Sequence, residues 1–416
     1  MPNVAHTIER SLSPAQQRHL RLAAEVCTGR GVKLFLVGGT VRDLLLGHRP
    51  VDLDLSAVGG SDLLAAELAR ALEGEVVARS QFGTAKIRAA DTYIDLALAR
   101  KETYANPGAL PKVAPGSIQD DLARRDFSIN ATAVCLDEGR WGELVDPHRG
   151  REDTQGGLVR VLHPGSFVDD ATRIIRAVRY SVRLGFRLEP ETEALLRRDL
   201  PYMGTIGGDR VRNELIRIFR EERAVPMLET AQEIGVLAAI HPSLAVGDQA
   251  LARLEKVGPE PGGQTDLLFL SVLAFPVEPG ARPGLIARLN MDGRWARVVR
   301  DTGAVRDSLD QLAADGLAAS TLHRLLNGLD LAAVRGCALA TDDPRVTQRL
   351  ELYDVELRHR RPALKGDDLM ALGVPEGPEV GEILDSLVTA TLDGLLATRD
   401  DEVRFVVERL ERRKRP

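Results

Sequence analysis

The residues best suited to chemistry in this chain are two aspartates, Asp52 and Asp54, which lie two apart in the apolar run VDLDL. Because side chains alternate along a β-strand, Leu53 and Leu55 are expected to face the core while both aspartates face the other side. Carboxylates that project together repel each other, and a bound cation would relieve that repulsion. Paired hard oxygen ligands suit Mg²⁺, so the pattern predicts a metal site; a solvated strand face is the structural alternative.

A third carboxylate, Asp95, lies in the run TYIDLALA, where Ile94 and Leu96 belong to the set expected to be buried. Three carboxylates on neighbouring strands could hold two Mg²⁺ ions for an in-line displacement at phosphorus. We therefore predict catalytic roles for Asp52, Asp54 and Asp95, with Asp52 and Asp54 as metal ligands.

A glycine pair, Gly38 and Gly39, separates a predicted strand from a predicted helix in LFLVGGTVRDLLLG. Without side chains at these positions, backbone N–H groups can approach a phosphate. Arg42 stands one turn into the helix, where it could bind the same anion while Asp43 orients it. A tight turn that needs glycine for its backbone angles is the structural alternative.

A second polar motif is LARRDFSINATAV, at residues 122–134. Arg125 can reach a phosphate or a ribose hydroxyl, and Asp126 can accept a hydrogen bond from a 2′-hydroxyl, the group that distinguishes RNA precursors from DNA precursors. Asn130 can brace both side chains. An exposed cluster of charges is the alternative for this segment.

A run of arginines follows in VDDATRIIRAVRYSVRLGF, at residues 168–186. On a helical wheel the isoleucines and valines fall on one side and the arginines on the other. Like charges at these spacings repel, and no acidic residue interrupts the run, so the pattern predicts a basic face for a polyanion. A solvated basic face is the alternative. The five arginines are Arg173, Arg176, Arg179, Arg183 and Arg187.

Together these motifs resemble those of the class II tRNA nucleotidyltransferases, a family of CCA-adding, CC-adding and A-adding enzymes and bacterial poly(A) polymerases. The resemblance implies that the motif around Arg125 surrounds the ribose. It also implies that Asp170 and Arg173 read the base edge of C or A, and that Arg176 and Arg179 bind the triphosphate. Asp169 departs from the family pattern EDxxR, which usually has Glu there.

The resemblance implies a function: template-independent transfer of CMP and AMP from CTP and ATP to the 3′ end of tRNA, with two Mg²⁺ ions and release of pyrophosphate. The expected partner is tRNA, gripped at its acceptor and T arms. The alternatives are a partial enzyme adding only A or only CC, or a poly(A) polymerase. The polar segment 100–121 occupies the place of the family's flexible loop and is not strongly shortened, which argues against CC addition alone.

Two other classes of protein could share the fold of this head. A catalytically silent RNA-binding relative would be expected to have lost a carboxylate, whereas Asp52, Asp54 and Asp95 are all acidic. A small-molecule nucleotidyltransferase could share the head but would not need so long a helical body.

Over the first 150 or so residues, which carry most of these motifs, the sequence predicts an alternation of short strands and helices. From about residue 169 the apolar pattern is nearly all helical. The predicted fold is an α+β nucleotidyltransferase head, with a mixed sheet and flanking helices, followed by an elongated all-α neck, body and tail. We expect a head at 1–150, a neck that recognises the nucleotide at 151–222, and a body and tail that bind tRNA at 223–416. Gly/Pro breaks are predicted at 257–264 and 275–284.

Composition narrows the class of protein further. The formal net charge of −6 argues mildly against a general nucleic-acid binder, and an aromatic content of 4% argues against a broad base-stacking surface. No run approaches the roughly 20 apolar residues of a membrane span, and the first residues lack the apolar block of a secretory signal. The 3 cysteines are widely separated, which is typical of a reduced cytoplasm.

Overall fold

The computed structural model describes residues 3–80, 83–103, 105–256 and 265–414. The chain divides into two compact units, Met1–Ile240 and His241–Pro416. The predicted boundary between residues 222 and 223 falls inside the first unit, so the division into head, neck and body stays a prediction.

The strands all lie in the first unit within the described ranges, and seven of them form the main sheet in the order β3-β4-β5-β2-β1-β8-β9. β2 and β5 run parallel and the other neighbours run antiparallel, so the predicted mixed sheet is confirmed. The strands are β1 (Lys33–Val37), β2 (Leu53–Val58), β3 (Glu75–Arg79), β4 (Thr84–Ala89), β5 (Thr92–Leu98), β6 (Arg100–Thr103), β7 (Lys112–Pro115), β8 (Ala133–Cys135), β9 (Leu144–Val145), β10 (Leu158–Val159) and β11 (Arg187–Leu188).

The register of the central strands decides which side chains meet. Asp54 on β2 lies opposite Asp95 on β5, and Asp95 lies opposite Lys86 on β4. Since residues opposite each other share a sheet face, these three side chains project together. Leu53 and Leu55 point the other way into the main core.

The main core is built by the helices that cover the far face of this sheet. Ser13 caps one of them through a capping box with Gln16, and Pro14 occupies its first turn, where proline is favourable. The helices of this unit are α1 (Ala5–Ser11), α2 (Pro14–Thr28), α3 (Gly38–Leu45), α4 (Leu64–Ala71), α5 (Ile118–Ala123), α6 (Gly150–Gly156), α7 (Ser166–Asp169), α8 (Thr172–Leu184), α9 (Pro190–Asp199), α10 (Gly208–Phe219), α11 (Ala224–Ile234) and α12 (Val236–Ile240).

The segment predicted as a flexible loop, 100–121, differs from that expectation. It contains the antiparallel hairpin of β6 and β7, and α5 begins within it at Ile118. Ser117 and Asp120 form a capping box at the start of α5. This local signal for a helix was missed because the segment is rich in Pro and Gly. Tyr104 lies outside the described residues.

The second unit contains helices joined by turns and no strand among its described residues, as predicted. It contains two apolar clusters, one between Val305 and Leu357 and one between Leu364 and Val406. The predicted break at 257–264 lies outside the described residues. The helices are α13 (Asp248–Leu254), α14 (Thr265–Ala274), α15 (Arg282–Arg288), α16 (Gly293–Asp307), α17 (Leu309–Ala313), α18 (Ala319–Leu326), α19 (Leu331–Ala340), α20 (Pro344–Val355), α21 (Gly366–Ala371), α22 (Pro378–Leu392) and α23 (Arg399–Lys414).

Within the described ranges, each helix is too short or too polar to traverse a membrane.

Candidate active site

A cleft of about 1120 Å³ opens on the first unit, where the β1–α3 turn, the central strands, the 125–130 motif, α8 and α10 converge. This volume is ample for a nucleotide. The residues predicted from the sequence that line the cleft are Gly39, Arg42, Asp52, Asp54, Asp95, Arg125, Asp126, Asn130, Asp170, Arg173 and Arg176. Gly38 and Arg179, also predicted to bind nucleotide, are not among its lining residues.

The three carboxylates lie on one face of the sheet at the cleft floor. Thr40 fixes Asp54: its Oγ1 accepts a hydrogen bond from the Asp54 amide at 2.9 Å and lies 3.2 Å from the Asp54 Oδ2. Burial raises the pKa of the Asp54 carboxyl, and the hydrogen bond from Thr40 opposes that rise. Asp52 and Asp95 remain partly open, with side chains 36% and 44% exposed.

Lys86 places a positive charge among these carboxylates. Its Nζ lies 3.0 Å from the Asp52 Oδ2 and 3.3 Å from the Asp95 Oδ2. Among the described residues, no three Asp, Glu, His or Cys side chains form a preassembled metal cage. Mg²⁺ is usually held by one or two carboxylates plus substrate phosphates, so this oxygen donor set, already bridged by a cation, fits that ion.

The glycine turn acts through its shape as well as its amides. Gly38 has φ of 66°, a left-handed conformation, and its N–H donates to the Thr132 carbonyl at 3.2 Å rather than pointing into the cleft. A Cβ at Gly38 would lie 2.6 Å from the Arg125 Nη1. Gly38 therefore differs from the predicted phosphate contact, because its amide is bonded to the Thr132 carbonyl beside β8, whereas Gly39 does line the cleft.

Arg42 is held in place from two sides. Its Nε and Nη2 donate to the Asp43 Oδ1 at 3.0 and 2.7 Å, and its Nη1 donates to the Asn130 Oδ1 at 2.8 Å. The side chain is buried in the cleft wall. Such bracing preorganises a guanidinium for an anion because few rotamers remain to be lost on binding.

The second motif forms a tight network around Asp126. The Asn130 amide donates to the Asp126 Oδ1 at 3.1 Å, and the Arg176 Nε donates to the Asp126 Oδ2 at 2.8 Å. Burial alone would raise the pKa of the Asp126 carboxyl, but the charge of Arg176 and these hydrogen bonds lower it to about 2. Arg125 is braced by the buried Asp121, at 3.0 Å.

The two residues expected to read the base both line the cleft, and the Arg173 amide donates to the Asp170 carbonyl at 3.0 Å, while their side chains bond different partners. Arg173 is buried, and its guanidinium donates to the Ser166 Oγ at 2.7 Å and to the Arg124 carbonyl at 2.8 Å. Asp170 accepts from the Thr172 hydroxyl at 2.7 Å and from Arg210 at 2.6 Å. Their role in base selection stays a prediction.

The predicted basic face of the arginine run is corrected by the structure in two ways. First, α8 ends at Leu184, where Gly185 adopts φ of 66°, so Arg187 lies in β11 and not on the helix. Second, acids from α10 and beyond neutralise the run. Arg179 lies 3.7 Å from Glu214 and 3.5 Å from Glu221, which also pairs with Arg183. These acids lie on segments remote in sequence, so the arginine run alone gives no sign of them.

Several residues at the cleft were not predicted from the sequence. They include Lys86, Tyr180, Arg210, Glu214 and Arg217. Lys86 could have been found by strand alternation, since Ala85 and Ile87 form the buried set of TAKIRA. Tyr180 could not, because it gains its role only in three dimensions, with the guanidinium carbons of Arg42 and Arg176 at 5.7 and 5.5 Å from its ring centroid.

Comparison with known proteins identifies the family. Residues 34–160 match the family described as Poly A polymerase head domain, and residues 185–247 match Probable RNA and SrmB-binding site of polymerase A. The chain is 31% identical over 414 residues to the A-adding tRNA nucleotidyltransferase of Halalkalibacterium halodurans, covering 98% of this chain and 95% of that protein. The chain belongs to the tRNA nucleotidyltransferase family. The resemblance found in its motifs is thereby confirmed.

Other members of the family show different specificities. The chain is 35% identical to the A-adding enzyme of Geobacter sulfurreducens, over 97% of this chain but 48% of that longer protein. It is 30% identical to the CC-adding enzyme of Deinococcus radiodurans, over 90% of this chain and 88% of that protein.

Solved structures of CCA-adding enzymes share the fold. An apo form has a TM-score of 0.85 at 27% identity, and the Thermotoga maritima enzyme complexed with tRNA has a TM-score of 0.78 at 26% identity. Each match covers 98% of this chain and 99% of the other.

Proposed function

We propose that this chain is an A-adding tRNA nucleotidyltransferase, which transfers AMP from ATP to a tRNA that ends in CC and releases pyrophosphate. The observation that carries the proposal is the cleft, where three carboxylates and several arginines face one space of about 1120 Å³. The choice of adenosine rests on the A-adding relatives at 35% and 31% identity, against 30% for the CC-adding relative.

The triphosphate would lie against Arg42, Arg176 and the backbone at Gly39. Arg42 is already oriented by Asp43 and Asn130, so binding an anion there costs little side-chain entropy. Arg179 does not line the cleft, and we assign it a supporting role: it holds Glu214, which in turn faces Arg176 at 3.8 Å.

The ribose would be met by Asp126, whose carboxylate stays ionised at neutral pH and can accept from a 2′-hydroxyl. Arg125 and Asn130 brace that site. The base would be read by Asp170 and Arg173, an acceptor and a donor that suit the Watson–Crick edges of A and C. Arg210 and Ser166 keep these two side chains in place.

Asp52 and Asp54, with Asp95 beside them, would hold two Mg²⁺ ions. Bound there, Mg²⁺ would lower the pKa of the primer 3′-hydroxyl and stabilise the charge on the leaving pyrophosphate. Thr40 fixes the Asp54 carboxylate through its hydroxyl, so that one oxygen donor is positioned before any ion arrives.

The second candidate function is complete CCA addition, as the sequence motifs imply. It is favoured by the match to CCA-adding structures over 98% of this chain. CC addition alone is disfavoured because segment 100–121 keeps its full hairpin, β6 and β7.

We also propose that the helical residues 223–416 grip tRNA, with a neck at 151–222 and a head at 1–150. The Thermotoga relative is described in complex with tRNA, which supports this partner. Double-stranded RNA is recognised through shape and backbone contacts, a task that suits helices with scattered arginines.

Sequencing of reaction products tests the proposal. The full chain is incubated with tRNAs that lack A, CA or CCA, with ATP and CTP separately and together. An A-adding enzyme extends only the tRNA ending in CC, by one A, whereas a CCA-adding enzyme repairs all three. Long A tails would instead identify a poly(A) polymerase, and no extension of any tRNA would contradict the proposal.

A further inference from the structure

Lys86 is a charged cleft residue with no role in the proposed reaction. We propose that it is an internal counter-cation of the metal site: it holds Asp52 and Asp95 together while no divalent ion is bound and gives way when one binds. This inference rests on the proposed function, since it concerns the carboxylates assigned to Mg²⁺.

The position of Lys86 is set by the sheet itself. β4 pairs with β5 so that Lys86 lies directly opposite Asp95, and the buried neighbours Ala85 and Ile87 prevent the strand from shifting by one residue. The ammonium therefore stays on the carboxylate face. It also reaches across β5 to Asp52, the residue just before β2, because β5 lies between β4 and β2 in the sheet.

The ammonium and a divalent ion compete for the same oxygens. Lys86 donates to the Oδ2 atoms of both Asp52 and Asp95, and its N–H groups cannot themselves coordinate a metal. An ion that uses either oxygen must break these hydrogen bonds and overcome the repulsion of the nearby positive charge. The affinity of the site for a divalent ion is therefore reduced in the absence of nucleotide. The negative charge of a bound triphosphate raises that affinity, so that the ion displaces the ammonium.

A second partner is available to the displaced ammonium. Tyr93, two residues before Asp95 on the same face of β5, presents its ring with the centroid 5.1 Å from the Lys86 Nζ. A cation–π contact of this kind would keep the charge inside the cleft after the carboxylates are released. The ammonium already lies over this ring while it bonds the carboxylates, so a small movement of the side chain, which is 35% exposed, would release them and keep the ring contact.

The test measures binding of Mn²⁺ to the nucleotide-free full chain by calorimetry and by the electron paramagnetic resonance signal of free Mn²⁺. Lys86→Met removes the charge at similar length and is expected to lower the dissociation constant of Mn²⁺ about tenfold, equivalent to about 1.4 kcal/mol. Lys86→Arg keeps the charge and should bind Mn²⁺ as weakly as the wild type. Lys33→Met, at the exposed first residue of β1, is the matched control and should change nothing.

Asp52→Asn separates failure of this inference from failure of the proposed function. Suppose that Asp52→Asn weakens Mn²⁺ binding, whereas Lys86→Met leaves it unchanged or weakens it. Lys86 then forms only structural ion pairs with the carboxylates, and the inference is overturned. If Asp52→Asn also leaves Mn²⁺ binding unchanged, the metal assignment itself is wrong and the inference falls with it. Circular dichroism melting verifies that each variant is folded, and Lys86→Gln provides a second neutral variant with the same expected tightening.

Discussion

Asp126 illustrates how a single carboxylate is kept ionised inside the cleft. It is buried, yet Arg176 and Asn130 supply enough positive charge and hydrogen bonding to hold its pKa at about 2. In the unfolded chain an aspartate titrates near pH 3.9. The ionised form is therefore favoured by folding, and the protein gains stability from it above about pH 4.

This difference predicts a specific acid sensitivity. Because the folded-state pKa is lowered, the stabilisation is lost progressively as pH falls from about 5 towards 2, and its full size is about 2–3 kcal/mol. In Asp126→Asn the free energy of unfolding should fall less steeply over this range than in the wild type, measured by urea unfolding from pH 5 down to 3. Asp91→Asn, an exposed aspartate in the β4–β5 turn, should keep the wild-type slope. Parallel slopes for Asp126→Asn and the wild type would refute the assignment.

At the residue scale the sequence predicted what depends on local alternation and missed what depends on remote partners. The shared face of Asp54 and Asp95 follows from strand periodicity once the strands are recognised. The pairing of Arg176 with Asp126 joins residues 50 apart, and that of Arg210 with Asp170 joins residues 40 apart. Only folding brings such charges together, so the arginine run was interpreted as a basic face.

At the scale of elements, the β1–α3 turn joins the glycine pair to the second motif. Gly38 has both a left-handed φ and Arg125 within 2.6 Å of where its Cβ would stand. Gly47, just beyond the C-terminal end of the same helix, has φ of 75° and open space around it. An alanine at either position would cause backbone strain, but only an alanine at Gly38 would also clash with a neighbouring side chain.

Gly38→Ala is therefore expected to lower stability by more than Gly47→Ala, which should cost only the backbone strain of about 1 kcal/mol. Gly38→Ala should also displace Arg125 and weaken ATP binding by roughly tenfold, about 1.4 kcal/mol, while Gly47→Ala leaves it unchanged. Urea unfolding and calorimetric titration with ATP measure both effects. Equal effects of the two variants on ATP binding would show that the turn does not shape the cleft through Arg125.

The strand and helix predicted around the glycine pair and the strands predicted at VDLDL and TYIDLALA correspond to β1, α3, β2 and β5, because their apolar periodicity is strong. Arg187 was predicted to lie on the helix because the spacing of the arginines continues past Gly185. A glycine inside a periodic run does not by itself indicate the end of a helix. The β6–β7 hairpin was hidden by its short, polar strands.

At the scale of the whole molecule, the chain forms two compact units, Met1–Ile240 and His241–Pro416. The cleft and its lining residues all belong to the first unit. The head-and-helix organisation was predictable from the change in periodicity near residue 169. The strand order was not, because the parallel pairing of β2 with β5 brings together segments that two other strands separate in sequence.

This division predicts that residues 1–240 suffice for nucleotide binding. A fragment of that length should fold cooperatively and bind ATP within about threefold of the full chain, a difference below ~0.7 kcal/mol. Its affinity for tRNA should fall by at least about tenfold, measured by filter binding at a fixed salt concentration. Undiminished tRNA binding by the fragment would contradict the role proposed for the helical residues.

If carboxylates on one face of the head sheet drive nucleotidyl transfer, the Asp52→Asn variant should lose that activity. Single-turnover transfer of AMP to a tRNA ending in CC should fall by ~10³-fold or more, since loss of metal stabilisation costs several kcal/mol in the transition state. Binding of tRNA should remain within about twofold of the wild type, and Asp91→Asn should retain full activity. Transfer by Asp52→Asn at a rate within about tenfold of the wild type would show that Asp52 does not hold a catalytic metal ion.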